Sequence, residues 1–269
     1  MLAARIRAVN PLLSSAAAVN TTVIALTGSA TFAEWFAGPV GQYLLGLEWQ
    51  YLERMLPDLF GYHLVQVGRL GNGDMTQSSR IHHRLLLWVD ECGPLPPGSV
   101  IAEPESLPLA ADSIDVVILP HVLEFSLNPH RVLREAERAL IGEGHLVLLA
   151  FNPWSLWGLW RLLFGWRRQA PWHGQFYGVA RIRDWLSLLD FDLVSLDRFA
   201  FCPPLRRAIG RVGWLENLGR ALWPALGGAM LIVARKRVLP LTPVRLRWQS
   251  RRTLIAAGAA EPSARRSRP

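Results

Sequence analysis

Three glycines follow a short apolar stretch in the segment HLVQVGRLGNGDM, residues 63–75. They are Gly68, Gly71 and Gly73. Because glycine has no Cβ, the backbone N–H groups of such a loop can approach a ligand closely. The segment therefore predicts either a loop that binds a nucleotide-like cofactor or a strand that ends in a flexible turn.

Two adjacent carboxylates lie at a useful distance from this loop. Asp90 comes 22 residues after Gly68, and Glu91 follows it. In nucleotide-binding α/β folds, a carboxylate about 20 residues after the glycines accepts hydrogen bonds from ribose hydroxyls. Asp90 and Glu91 are therefore the candidate ribose-binding residues.

The elements that must position these residues alternate between helix and strand. Helical spacing of apolar residues predicts helices within 39–61, 128–144 and 181–191, and short apolar runs predict strands at 64–67, 83–91, 99–103, 113–120, 145–151, 192–201 and 228–238. The clearest helix begins with Asn128 as its N-cap and Pro129 in its first turn, and is expected to end at Gly142 and Gly144. Since that helix joins two strands, the strands are expected to be parallel.

Length and charge suggest one globular domain with extensions. The chain has 269 residues, of which 51% are hydrophobic, and a net charge of +8. From residue 235 onward ten basic residues stand against one acid, Glu261, so the charge lies in the C-terminal tail. We expect a disordered or over-long extension at 1–31, a folded domain at 32–242 and a flexible basic tail at 243–269.

Several classes of protein do not fit the sequence. No apolar run approaches the roughly 18 to 20 residues of a membrane span. Cys92 and Cys202 are too few for a disulfide framework, and no cluster has metal-ligand spacing, so we expect no metal. A reducing, cytoplasmic location fits this cysteine content best.

The order of signals in residues 102–153 resembles the class I S-adenosylmethionine-dependent methyltransferases, specifically the small-molecule type 11 group. A strand ends in an acid, a Leu-Pro turn follows, an Asp opens the next strand, and a Gly pair precedes another strand; these residues are Glu103, Leu107, Pro108, Asp115, Gly142 and Gly144. The stretches FNPWSLWGL and RVLPLT are similar to a poorly characterised bacterial branch of that group. The likeness covers roughly Phe32 to Thr242.

The resemblance implies a fold, a cofactor and several contacts. The fold would be a doubly wound, Rossmann-like α/β domain with a mostly parallel seven-stranded sheet and an antiparallel last strand. The cofactor would be S-adenosylmethionine. Glu103 matches the acid that receives the adenine amino group, the backbone of Ser106 and Leu107 would sit beside the ring, and His121 lies where a residue can touch the cofactor.

The glycine loop departs from the family pattern D-x-G-x-G-x-G. Gln66 stands in place of the acid, and one additional residue separates Gly68 from Gly71. Only 26 residues, 74–99, must supply a helix, a strand and a crossover, so either a helix is missing or the second strand is irregular. The position of the loop favours cofactor binding, while its chemistry leaves a non-binding loop as the alternative.

Four further features each have a structural and a functional interpretation. His121 could contact the cofactor, accept a proton or simply pack in its turn, and Glu124 could act in the site, cap a turn or face solvent. Asn152 could orient a substrate heteroatom or stabilise a turn. Trp154 opens the tryptophan-rich run 154–172, which could be a membrane-surface helix, a lid over an apolar substrate or a helix packed on the sheet.

These observations lead to a methyltransferase that acts on a small or apolar acceptor, with Asn152 and Trp154 as candidate substrate-binding residues. The alternative is a pseudo-methyltransferase with a binding or regulatory role, and a nicotinamide oxidoreductase is the third interpretation. The basic tail predicts weak, salt-sensitive contact with polyanions or a membrane surface, but no specific nucleic acid.

The candidate ribose carboxylates can be tested directly. Replacing Asp90 and Glu91 together by Ala should weaken S-adenosylmethionine binding by roughly 1.5 to 3 kcal/mol, the value of hydrogen bonds to a charged group. Calorimetric titration measures the change. Unchanged affinity in the double variant would remove both residues from the site.

Overall fold

Seven strands form one sheet in the order β3-β2-β1-β4-β5-β7-β6. They are β1 His63–Val67, β2 His83–Trp88, β3 Val100–Ile101, β4 Ile114–Pro120, β5 Leu140–Phe151, β6 Phe191–Phe199 and β7 Ala229–Lys236. This computed structural model describes residues 34–68, 74–89, 100–164, 171–205 and 212–238.

The helices are α1 Pro39–Met55, α2 Pro129–Ala139, α3 Leu156–Phe164, α4 Val179–Leu188 and α5 Val212–Leu222. Short 3₁₀ turns follow α1 at Leu56–Asp58 and precede β7 at Pro224–Leu226. Both α1 and α2 carry proline in their first turn, where its fixed φ suits a helix and its missing N–H costs no hydrogen bond. Among the described helices, none is both long and apolar enough to cross a membrane.

The strand directions confirm the predicted doubly wound α/β fold. β1 pairs in parallel with β2 and β4, and the pairs β2–β3 and β4–β5 are also parallel. β7, the last strand, is antiparallel to both of its neighbours, β5 and β6. The sheet therefore has seven strands, mostly parallel, with the reversed last strand that the resemblance implied.

Both faces of the sheet are covered. Side chains alternate along β4, so Val117 and Leu119 join one core and Val116 and Ile118 the other. Helices α2 and α4 supply buried side chains to the first core, while α1 and Trp157 of α3 supply them to the second. Burial on both faces explains why β4 after Asp115, and β5 from Leu146 onward, are continuous apolar runs.

Helix α2 begins after Asn128 as the sequence predicts, but the expected side-chain cap and the expected helix end were wrong. Asn128 stands at the N-cap position, but its side chain makes no capping bond; instead its amide donates to Glu105 Oε2 at 3.2 Å. The helix ends at Ala139, before Gly142 and Gly144, because Leu140 already pairs with Ile114 in the sheet. Both glycines therefore lie inside β5.

The connection from β1 to β2 contains a turn at residues 75–78 and no helix in its described part, 74–82. His63 nevertheless pairs with His83 in parallel register. Residues 69–73 and 90–99 lie outside the described residues, so the missing helix stays a prediction for the full segment. The predicted domain limits near residues 31 and 242 lie outside the described residues and stay predictions.

Candidate functional site

The strand order reverses between β1 and β4, which lie side by side at the middle of the sheet. In open α/β sheets, ligands bind beyond the carboxyl ends of the strands at such a switch point. Gly68 follows β1 there, and His121 follows β4. Any ligand site of this fold should therefore lie between these two turns.

The two turns touch each other at Gly68. Its φ of +87° is in the region that favours glycine, and a Cβ at this position would lie 3.3 Å from Cγ2 of Val122. The Gly68 N–H donates to the carbonyl of Leu87 at 2.8 Å, which fixes the turn to β2. Gly68 is therefore required by the backbone and by the close approach of the second turn.

Gln66 provides an unusual polar group beside this glycine. Its side chain is buried, and Nε2 donates to the carbonyl of Gly68 at 2.9 Å. Oε1 is also buried and has no hydrogen-bond partner among the described residues. Because a buried acceptor without a partner is costly, this oxygen is suited to receive a donor from a ligand.

His121 lies between two buried carboxylates. Its φ is +52°; Nε2 lies 2.7 Å from Glu48 Oε1 and Nδ1 lies 3.0 Å from Glu124 Oε1. All three side chains are inaccessible to solvent. Glu48 comes from α1, so these contacts join that helix to the edge of the sheet.

The charge of this cluster follows from its contacts. Burial acts to lower the pKa of His121, but the two carboxylates outweigh it and raise that pKa to about 9. Burial raises the pKa of Glu48, and the imidazolium offsets part of the increase. Near neutral pH, His121 is therefore an imidazolium that donates to both carboxylates, so proton acceptance would first require one of these bonds to break.

Glu124 connects the cluster to the end of β5. Its Oε1 accepts the N–H of Phe151 at 2.7 Å as well as the His121 ring. The ring of His121 lies 4.2 Å from that of Phe151, which in turn stacks on Trp157 and Phe176. The ring of Phe151 thus covers one side of the buried polar cluster, and Trp157 and Phe176 pack behind it.

The turn after β3 holds the candidate adenine contacts. Glu103 and Ser106 are exposed and joined by a backbone bridge. Leu107 is buried, and its N–H donates to Glu135 of α2 at 3.1 Å. Helix α2 therefore fixes this turn at the same sheet edge.

The side chain of Asn152 stabilises the turn after β5. Its Nδ2 donates to the carbonyls of Ala225 and Gly227, and its Oδ1 accepts the N–H of Trp154. These bonds tie the loop after β5 to the segment before β7. The Trp154 side chain is 77% exposed at this loop.

Gly71, Gly73, Asp90 and Glu91 lie outside the described residues, so their predicted roles stay predictions. Glu48 was missed by sequence reasoning. The signal was available, since Glu48 falls four residues from both Leu44 and Leu52, which are core residues of the same helix. A carboxylate at a core position of a helix indicates a buried polar partner.

Solved methyltransferases share this fold. A SAM-dependent methyltransferase from Archaeoglobus fulgidus aligns with a TM-score of 0.53 and 19% identity, covering 76% of this chain and 98% of that one. One from Thermotoga maritima aligns with a TM-score of 0.52 and 16% identity, covering 71% and 88%. At these identities the likeness concerns the fold alone.

A family model described as a methyltransferase domain matches residues 83–148. The uncharacterised protein YafS of Escherichia coli K12 is 37% identical over 198 residues, which cover 71% of this chain and 77% of YafS. The chain belongs to the S-adenosylmethionine-dependent methyltransferase family. The resemblance found in residues 102–153 is confirmed, and similarity to YafS places this methyltransferase-family protein in a poorly characterised branch.

The residues at the switch point fit the cofactor that this family implies. S-adenosylmethionine carries an ammonium group, which needs an acceptor, and Gln66 Oε1 is a buried acceptor without a partner among the described residues. Gly68 leaves the backbone uncovered next to it. This pairing supports Gly68 as a candidate contact and adds Gln66 to the candidates.

The charged cluster predicts alkaline sensitivity. The pKa of His121 is about 9 in the folded protein and about 6.5 in the unfolded chain. Protonated His121 therefore contributes its full stabilisation of the folded state below pH 6.5, and this contribution is lost as the pH rises through 9. The free energy of unfolding should therefore fall by on the order of 3 kcal/mol over this range. Urea unfolding across these pH values measures it.

Glu48→Gln should reduce the fall in the free energy of unfolding at alkaline pH, because it removes one of the two carboxylates that stabilise the protonated form of His121. Glu135→Gln, at the surface pair with Arg138, is the matched control and should keep the wild-type slope. A wild-type stability that stays flat over the alkaline range would contradict the assignment of an imidazolium.

Gly68→Ala should lower the stability of the ligand-free protein by about 1 kcal/mol, because alanine tolerates the positive φ poorly. Gly46→Ala in α1 is the control, since a Cβ there meets nothing within 4 Å, and it should stabilise by about 0.5 to 1 kcal/mol. Thermal melting compares the two. Equal stability of Gly68→Ala and wild type would show that the turn does not need glycine.

Proposed function

We propose that the protein binds S-adenosylmethionine and transfers its methyl group to a small or apolar acceptor. The observation that carries this proposal is the switch point, where the Gly68 turn meets the turn of His121 and Val122. Beside them lies Gln66 Oε1, which has no hydrogen-bond partner in the described part of the chain. Membership of the methyltransferase family supplies the class of reaction.

When bound, the cofactor supplies a methyl group that its sulfonium already activates. The chain's own task is then to align the acceptor with that methyl group and to exclude water. Backbone N–H groups near Gly68, Gly71 and Gly73 would bind the methionine part, with Gln66 Oε1 as acceptor for the ammonium. Asp90 and Glu91 would accept hydrogen bonds from the ribose hydroxyls.

The turn after β3 would bind the base. Glu103 would accept the adenine amino group, and its exposed side chain is free to reorient. The Leu107 N–H already donates to Glu135, so Leu107 would contribute apolar contact, and Ser106 the nearby backbone. Arg138 donates to the carbonyl of Leu107 and keeps this turn in place.

The charged cluster would position the site without exchanging protons with substrate. His121 holds the turn after β4 against α1 and the end of β5 through its two carboxylate partners. Its backbone, beside the switch point, is the part that would meet the cofactor.

An apolar acceptor fits the exposed indole of Trp154, which follows β5 at this edge of the sheet. Asn152 would influence acceptor binding indirectly, because its side chain accepts the backbone N–H of Trp154 and holds that residue in place. Phe151, Trp157 and Phe176 form a buried stack behind this edge and would support it from within the core. Acceptors with an apolar body and one nucleophilic atom are therefore the first to test.

Calorimetric titrations with S-adenosylmethionine and NAD test the proposal. We expect binding of the first and none of the second, followed by formation of S-adenosylhomocysteine with apolar phenols, amines or acids. Absence of S-adenosylmethionine binding would refute the proposal. Binding without turnover on any acceptor would favour the pseudo-methyltransferase, and NAD binding would favour an oxidoreductase.

The variant Gln66→Met tests whether S-adenosylmethionine binds at the switch point. Methionine has a similar volume, but the exchange removes the Oε1 acceptor and also leaves the Gly68 carbonyl without its Nε2 donor, so the melting temperature should fall. Affinity for S-adenosylmethionine should fall roughly tenfold, the effect of about 1.4 kcal/mol. Gln50→Met, at an exposed position of α1, is the control, and equal affinities of the two variants would exclude Gln66 from the site.

A further inference from the structure

Helix α3 is apolar on two opposite sides. On one side Trp157 is fully buried, donates its indole N–H to the carbonyl of Cys202 at 2.8 Å and stacks on Phe151. On the other side Leu156, Leu159 and Leu162 are 44%, 51% and 80% exposed. Their spacing of three residues places these leucines on one face of the helix.

This exposed face needs an explanation, because a surface helix normally presents polar residues to water. Trp154, just before the helix, is also largely exposed. We define the α3 outer face as Trp154, Leu156, Leu159 and Leu162. A continuous exposed apolar surface of this kind marks a place of interaction.

The charge of the surrounding chain indicates the partner. Helix α3 contains Arg161, and residues 144–170 contain three arginines and no Asp or Glu. An apolar helix face with tryptophan, in a segment whose ionic charge is only positive, is typical of helices that lie in the interface of an anionic membrane. A second copy of the chain is less suitable, since a symmetric contact through this face would bring two basic segments together.

We propose that the α3 outer face docks on the surface of an anionic lipid bilayer. Its apolar side chains enter the boundary between headgroups and acyl chains, and the basic segment attracts the lipid charge. The docking needs no spanning helix and does not involve the C-terminal basic tail.

The position of α3 links membrane docking to the candidate functional site. The buried side of the same helix packs through Trp157 onto Phe151, whose ring lies beside that of His121. Docking therefore brings the carboxyl edge of the sheet to the bilayer. If the proposed methyl transfer holds, on which this step alone rests, the apolar acceptor is a molecule dissolved in the membrane.

The test is co-sedimentation of the full-length protein with vesicles, without S-adenosylmethionine. Vesicles of phosphatidylcholine alone are compared with vesicles of equal parts phosphatidylcholine and phosphatidylglycerol. Measurements at low and high salt separate the two contributions, because salt screens the basic tail but not apolar insertion. The test variant is the double change Leu159→Ser and Leu162→Ser, and the matched control is Leu188→Ser with Leu222→Ser, two exposed leucines of α4 and α5.

We expect binding to the anionic vesicles that weakens in high salt, because the attraction of the basic segment is screened, but that does not disappear, because apolar insertion remains. We also expect a roughly tenfold lower partition coefficient for the α3 variant and no change for the control. Both variants should melt like wild type, since the leucines are exposed. The proposal is overturned if wild type ignores the anionic vesicles, if the α3 variant binds as wild type does, or if ultracentrifugation shows a dimer that this variant dissociates. Vesicle binding with no S-adenosylmethionine binding would keep the docking and remove the methyltransferase instead.

Discussion

One imidazolium between two carboxylates holds together the parts of the molecule that meet at the switch point. Glu48 reaches it from α1, and Glu124 passes the contact on to the backbone of β5. The three groups are fully buried, so each depends on the others. Loss of one partner from such a buried pair typically costs about 3 to 5 kcal/mol, because a charge remains without compensation. The arrangement of α1, the turn after β4 and the aromatic stack therefore depends on the contacts of this one ring.

The sequence was most informative where one physical requirement dominates. Strands buried on both faces must be apolar along their whole length, which made β4 and β5 recognisable. The helix between them forces its flanking strands to be parallel, so the order of elements at 113–151 could be predicted. Local signals failed where tertiary contacts compete with them. Asn128 has the chemistry of a cap, but Glu105 binds its amide instead. Gly142 and Gly144 look like a helix end, yet pairing with β4 begins before them.

The candidate site was less predictable than the fold, because its residues come from distant parts of the chain. Glu48 is 73 residues from His121, and no local spacing connects them. Gln66 was recognised as a departure from the family pattern. That its Oε1 is buried and has no partner among the residues that the structure describes could be seen only in the folded structure. An amide at this position supplies an acceptor without the negative charge of the usual acid. The glycine loop therefore retains an acceptor while differing from the family in charge.

The place of β7 in the sheet has a consequence for how the protein is made. Residues 229–236 leave the ribosome after β5 and β6, yet they lie between those two strands. Until then β5 has an open edge, and β6 cannot join the sheet. Open strand edges invite pairing with other chains, and such long-range pairing is slow. A nascent chain stalled before residue 229 would thus present an apolar, unpaired edge, the kind of surface that chaperones protect.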